Sequence, residues 1–464
     1  MLSLIAFAAL MPLLARIFLR APAAAFAGFF LLFAMFYRSV DILYVDLFGP
    51  LYASELGRYV GGNAAAPMFY YGVASFAIPL LWVFRDQARA IQALRSRPAW
   101  QDYQIKLSSL AFLGTSAFVA LLFGNLIRVG VVPLFAGMDR LQYNEIAGIV
   151  HNGAYELNFL TCFTLGAFTI LPRINGREHD FRFVLVFVVL LIYWVLTGNR
   201  FSIFYTQFSF FFMPFAAVSI GKTLGVVGPL PKNAMVHRIF ASKVFRFVAA
   251  LVIMFSLAGL VVNSYYNVRN YRDPVEQIQE RILLQPVQMW SAEWERVRFD
   301  NPLPLVSREA FDQIFINPID RDRNTTIQYL MSLELGYFRS AELARMGQQY
   351  NGGYPEVHFE LFNPWLALIT LPLFGLATAL MLRYTVLLLY RNMVVSAIAA
   401  TYVFYGFSLH YAGGFLLFPL FVTYWLKIAA LLLAIAWERQ FTRRPPPAES
   451  GPAFARRPLT GARA

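Results

Sequence analysis

Apolar runs of about 20 residues, separated by short polar or charged joints, recur along this chain. A helix of that length rises about 30 Å, the thickness of the hydrocarbon core of a bilayer. Eleven such spans are predicted, at about 2–18, 21–39, 65–84, 107–127, 152–172, 182–198, 201–220, 244–263, 363–382, 384–408 and 412–437. The alternating segments of about ten residues that a membrane barrel needs do not appear. The predicted fold class is therefore an all-α polytopic membrane protein, whose helices satisfy their own backbone polar groups in lipid. Met1 to Ala15 has the apolar core of a signal peptide. No small-residue cleavage site follows it, and a second apolar run begins at once, so it reads as a retained first span.

The polar interruptions divide the chain into 1–263 as a membrane bundle, 264–362 as the one extramembrane segment of domain size, 363–437 as a second bundle, and 438–464 as a tail. The tail sequence "TRRPPPAESGPAFARRPLTGARA" is too rich in Pro and Arg to build a core and is expected to be disordered. Within 264–362, "RDPVEQIQERILLQPVQMW" has Asp273 as a candidate N-cap and Pro274 at the first helical position. "SREAFDQIFINP" and "NTTIQYLMSLELGYF" read as two further amphipathic helices, and "QQYNGGYPE" as the turn back to the membrane.

Composition agrees: 58% of residues are hydrophobic and 14% charged, and the mean hydropathy is +0.54. The net charge of +13 matters through its placement. With the tail taken as cytoplasmic, 23 Lys and Arg fall in segments on its side. Only Arg38, Arg58, Arg128, Arg140 and Arg200 fall in the short segments opposite. The positive-inside rule then places the C-terminus in the cytoplasm and 264–362 at the exterior, the periplasm of a Gram-negative cell. That insertion holds 14 acidic residues against ten arginines, so it is no polybasic lipid patch.

No phosphate-cradling loop, zinc-protease motif, nucleophile elbow or Cys/His cluster occurs, which disfavours nucleotide hydrolysis and zinc or serine chemistry. The single cysteine, Cys162, excludes an intrachain disulfide. Asp320 and Asp322 have the spacing of metal-dependent nucleotide-sugar transferases, but sit among arginines that favour a solvated salt-bridge cluster. What remains is a set of arginines on the sparsely charged face. Arg128 and Arg140 bound "VGVVPLFAGMD", too short to span and suited to a re-entrant or interfacial loop. Arg200 stands alone between Phe183 and Ile220, at the junction of two spans where Gly198 and Asn199 allow a turn. Arginine grips phosphate bidentately; the alternative is that each caps carbonyls or pairs with Asp139 or Glu145. His151, His358 and His410 fall on the same face. His358 lies between Glu356 and Glu360 in "GGYPEVHFELFNPW", and His410 in "FSLHYAGG", read as a tight turn. A histidine or carboxylate near an arginine cluster suits a general base toward a hydroxyl. A hydrogen-bonded structural histidine is the alternative, favoured for His151.

"RVGVVPLFAGMDR", "LTGNRFS" and "GGYPEVHFELFNPWLALITLPLFG", with the span count and the single large late loop, resemble the bacterial O-antigen and oligosaccharide repeat-unit polymerases of Wzy type. The resemblance implies a membrane-embedded glycosyltransferase fold of GT-C-like type, related to the O-antigen ligases. It implies a donor glycan on a polyprenyl diphosphate, an acceptor repeat unit on the same lipid, and no metal or cofactor. Arg128, Arg140 and Arg200 would hold the diphosphate. His358 or Glu360, with His410 as a third candidate, would supply the base. Arg269, Arg272 and Arg339 would hold the second lipid's phosphates or the glycan, and the tyrosines of "NSYYNVRNYRD" would stack on sugars. A multi-pass protein of the bacterial inner membrane follows. Its environment is membrane lipid, with a chain-length regulator protein as a candidate partner and no nucleic acid. The alternatives are a flippase for the same lipid-linked unit, a ligase, and a transferase using a polyprenyl-monophosphate sugar. For the last of these, Asp41, Asp46 and Glu55 of the first exterior loop would be the acidic residues.

Overall fold

A computed structural model of the chain describes residues 1–96, 101–136, 138, 140–199, 201–228, 280–299, 304–306, 326–345, 352–416 and 418–442. Among these, eight helices are long and apolar enough to cross a membrane, and α8 adds a shorter apolar one. The bundle begins with α1 (Leu2–Arg20), α2 (Pro22–Phe48) and α3 (Ala66–Arg85). Pro22 opens α2, at the position where a missing N–H is tolerated. Between α2 and α3 a short antiparallel hairpin pairs β1 (Leu51–Ala53) with β2 (Arg58–Val60). There follow α4 (Ala88–Arg95), α5 (Gln101–Val129), the single turn α6 (Pro133–Ala136) and α7 (Arg140–Ile174), which is broken at Gly148. Next come α8 (Phe181–Leu196), α9 (Phe201–Phe212) and α10 (Phe215–Thr223).

Of the segment after the first bundle, α11 (Gln288–Arg296), α12 (Thr326–Leu335) and α13 (Tyr337–Arg345) are described, with a π-turn at Glu280–Leu284. The buried short helix α14 (Glu356–Leu361) leads to α15 (Pro364–Tyr390), α16 (Val394–Gly413) and α17 (Val422–Thr442).

Side-chain contacts fix which helix ends lie together. At one end Ser3 donates to Asp46 (2.7 Å), and Asp46 accepts from the N–H groups of Ala65 and Ala66 at the start of α3. His410, near the C-terminus of α16, belongs to the same end, because Tyr354 beside it donates to the Gly72 carbonyl in the first half of α3. At the opposite end Arg383 donates to the Asp86 carbonyl, Asn175 to Asn392, and Glu438 accepts from the N–H groups of Val395 and Ser396. We call these the histidine end and the Arg383 end. Helices approach closely where a side chain is missing: a Cβ at Gly375 of α15 would overlap the carbonyl of Ser75 on α3. Small residues permit such approach where lipid supplies no hydrophobic drive.

Several boundaries differ from the sequence reading. The turn expected near 383 falls at Arg391–Met393. Arg383 is itself buried in α15, over the Phe84 ring, and Asn392 takes the left-handed conformation that ends the helix. The stretch "FSLHYAGG" is helical through Gly413, and Gly414 turns the chain at φ 71°, so His410 is a helix residue rather than a turn residue. The helix expected over "NTTIQYLMSLELGYF" is two, divided at Gly336 (φ 81°). The last helix runs to Thr442, past the predicted start of the tail. The span at 244–263, the helix at "SREAFDQIFINP", the Asp273 cap, Asp320, Asp322 and the tail beyond 442 lie outside the described residues.

Candidate functional site

Three clusters of polar side chains gather at the histidine end. The first is built on α14. Gly353 passes so close to Gly414 that a Cβ there would overlap its backbone, which brings α14 against the end of α16. His358 and His410, 1% and 0% exposed, then meet with Nε2 atoms 3.0 Å apart. His358 Nδ1 lies 2.9 Å from the Thr370 hydroxyl, and Thr370 reaches the Ala367 carbonyl at 3.4 Å. Among the described residues His410 Nδ1 has no hydrogen-bond partner. One proton arrangement satisfies every donor. His410 Nε2–H donates to His358 Nε2, His358 Nδ1–H to Thr370, and Thr370 to Ala367, leaving bare only an acceptor nitrogen. Tyr354 and Phe374 close the pair edge-on, with ring centroids 4.4–5.8 Å from the imidazoles. Burial pushes His358 down to about 3, so it is neutral at physiological pH.

Flanking His358 on the same helix, the two glutamates face different cations. Glu356 pairs with Arg38 of α2, whose guanidinium also donates to the carbonyls of Pro286 (2.8 Å) and Tyr354 (2.7 Å) and lies over Phe69. Glu360 places both oxygens on Arg296, which also donates to Glu293 at 2.6 Å. Glu334 joins them, held by Arg58 and 3.9 Å from Arg296. Burial raises the Glu293 carboxyl well above its ordinary range, and the adjacent Glu360 adds to the effect. Glu334 is raised by burial as well. With Glu295 3.7 Å from Arg58 as well, four carboxyls surround two guanidiniums, an excess of negative charge that favours the neutral form of the buried Glu293.

The third cluster surrounds the predicted arginine loop. Arg128, exposed at the end of α5, donates from Nε and Nη2 to Asn125 (3.2 and 3.0 Å), while Asn125 donates to the Ala147 carbonyl. The segment read as re-entrant forms the turn α6. The Gly198 turn, at φ 70°, rests against it, so a Cβ there would lie 3.3 Å from Pro133 and 3.6 Å from the Met138 carbonyl. Gly198 is free of the penalty that any other residue would meet at that φ. Behind this contact His151 is enclosed: Nε2–H donates to Asn144 (3.0 Å), and Nδ1 accepts from the Tyr193 hydroxyl at 2.7 Å. It serves packing.

Of the residues singled out from the sequence, His358 and His410 come together, and Glu360, two residues after His358 on the same helix, belongs to a separate network. Arg140 is the first residue of α7, two residues from Met138. Arg200, Arg269 and Arg272 lie outside the described residues, and Arg200 is adjoined by the Gly198–Asn199 turn. Arg339 is 65% exposed on α13, and among the described residues its one ion-pair partner is Glu342 at 3.8 Å. Arg38, Arg296 and Glu293 were not singled out. A lone cation in an apolar run is a readable signal for Arg38, as it is for Arg200. Residues 320–424 match a family described as a family of unknown function (DUF6418). That stretch contains His358, Glu360, His410, Glu334 and Arg339. No curated protein and no solved structure matches the chain.

Proposed function

We propose that this protein is a metal-independent membrane glycosyltransferase that polymerises polyprenyl-diphosphate-linked oligosaccharide repeat units into long surface polysaccharide. The supporting observation is that the Arg128–Arg140 loop and the turn before Arg200 pack against each other, at the end of the bundle that also carries Glu360, Arg296 and the histidine pair. In this reading the eleven-span chain lies in the bacterial inner membrane with the histidine end periplasmic and the C-terminus cytoplasmic, as its charge distribution requires. An acceptor sugar hydroxyl attacks the anomeric carbon of the donor glycan. The bond from that carbon to the diphosphate oxygen breaks, and the diphosphate leaves with the electron pair. Arg128, Arg140 and Arg200 stabilise the charge that develops on it. The hydroxyl proton passes to a carboxylate, for which Glu360 is favoured over His358 and His410. Glu360 is itself buried, but its partner Arg296 is 37% exposed and opens that network to solvent, whereas both histidines are sealed in packing. Arg269 and Arg272 are the candidates for the second lipid.

A transferase using a monophosphate sugar is less well supported, because two of the three acidic residues it would need are held by structural partners. Asp46 caps α3, Glu55 accepts from Gln288 at 2.7 Å, and Asp41 is buried in α2. Deletion of the gene followed by gel analysis of surface polysaccharide tests the proposal. The long-chain ladder is expected to disappear while single lipid-linked units accumulate on the periplasmic side. A ladder of normal length overturns it, and units trapped on the cytoplasmic side identify a flippase instead.

A further inference from the structure

A further polar cluster lies away from the three at the histidine end, where side chains of α7, α16 and α17 meet. Lys427 is the fifth residue after the start of α17, about 7.5 Å from it at 1.5 Å per residue. Its ammonium does not reach outward toward the helix end, as an isolated lysine in lipid would by snorkelling. Instead it lies 4.4 Å from the ring centroid of Tyr402 and 5.9 Å from that of Tyr405, both on α16. Tyr405 is locked in place by stacking on Phe159 of α7, with ring centroids 3.7 Å apart and planes within 5° of parallel. Lys427, Tyr402 and Tyr405 are each half-buried rather than sealed in the core. Among the described residues neither the ammonium nor the two phenols has a hydrogen bond, and no carboxylate lies within 4 Å of Lys427. The opposite charge acting on it is Glu156 of α7, which is exposed.

The tyrosine rings stabilise the cation through their faces, but they leave its three N–H donors unused at a depth where an unsatisfied charge is expensive. An ammonium and two phenols gathered between α16 and α17 form a donor set with no hydrogen-bond acceptor among the described residues. The group that brings acceptor oxygens to that depth, with an apolar chain to lie along the helices, is the phosphate of a membrane lipid. We propose that Lys427, Tyr402 and Tyr405 bind a lipid phosphate, with the charge of Glu156 competing for the ammonium from a distance. This site is distinct from the arginine loop, and the proposal does not depend on the glycosyltransferase reading.

The test is direct binding by the full chain in detergent, followed by native mass spectrometry, with undecaprenyl monophosphate, phosphatidylglycerol and inorganic phosphate as separate probes. A charge-assisted hydrogen bond lost in K427M corresponds to a loss of about tenfold or more in affinity for the lipid probes. K427R is expected to retain binding and to melt at the wild-type temperature. E156Q, which removes the competitor, is expected to bind the lipid probes more tightly. Wild-type binding by K427M, or unchanged or weakened binding by E156Q, overturns the proposal. Displacement of the lipid by inorganic phosphate at equal concentration also overturns it, since the site would then take the free anion.

Discussion

Arg38 and Glu356, 318 residues apart in sequence, form a buried ion pair that ties the return of the chain into the membrane to the second helix. The same guanidinium takes the carbonyls of Pro286 and Tyr354, so one side chain holds both described flanks of the insertion against α2. Removing one member strands the other charge, at a cost of about 3–5 kcal/mol. R38Q and E356Q are each expected to lower the thermal midpoint strongly in detergent. The double variant is expected to lose clearly less than the two single losses added together. Additive losses would show that the two side chains act independently.

His358 provides a pH dependence with a defined sign. Burial lowers it to about 3 in the folded protein, against about 6.5 for an exposed histidine. Its contribution is fully present above about pH 6.5 and is lost as pH falls toward 3, because only the unfolded chain accepts the proton over that window. Between pH 6.5 and 5 the linkage amounts to about 2 kcal/mol. Thermal midpoints measured from pH 7 to 5 should therefore fall less steeply in H358Q than in the wild type. Parallel curves would remove His358 from the account.

Glu293 behaves in the opposite sense. Its folded-state pKa is raised, so its contribution is complete below the ordinary carboxyl range and declines as pH rises toward the folded value. Its neutral form is the favoured one beside Glu360, and an amide of the same shape replaces that form well. E293Q is expected to match the wild-type midpoint below the ordinary carboxyl range and to exceed it increasingly as pH rises. R296M, which leaves Glu360 without its cation, should lose about 3–5 kcal/mol. Equal damage from both variants would show that Glu293 is ionised.

The helices were legible because span length and apolarity are local properties, set by bilayer thickness. Their ends were less so. Arg383 looked like a loop residue because charge in an apolar run suggests a break, yet a carbonyl from Asp86 and the Phe84 ring accommodate it inside α15. His358 and His410 were each readable as candidates, but their contact was not, since it depends on Gly353 passing Gly414, two glycines far from each other in sequence. The Glu293–Arg296–Glu360 network was illegible for the same reason. It joins α11 to α14 through tertiary packing, and nothing in the spacing of its residues marks it.

Arg128 was read as a diphosphate ligand and Arg339 as a candidate for the second lipid's phosphates or the glycan, and the structure separates them. Arg128 has its guanidinium oriented by Asn125, which is itself fixed to the Ala147 carbonyl at the α7 break. The loop it opens rests on the turn preceding Arg200. Arg339 projects from α13 with a single distant carboxylate for company. A group that stabilises a departing diphosphate must be held before the charge develops, and loss of such a donor typically slows a reaction about 10²–10³-fold. R128A is therefore expected to abolish the long-chain polysaccharide ladder at wild-type expression, and R339A to leave it intact. N125A, which frees the guanidinium without removing it, should give an intermediate loss of chain length. An R339A strain lacking the ladder beside an R128A strain that keeps it would move the diphosphate site from the α5–α7 loop to the 264–362 insertion.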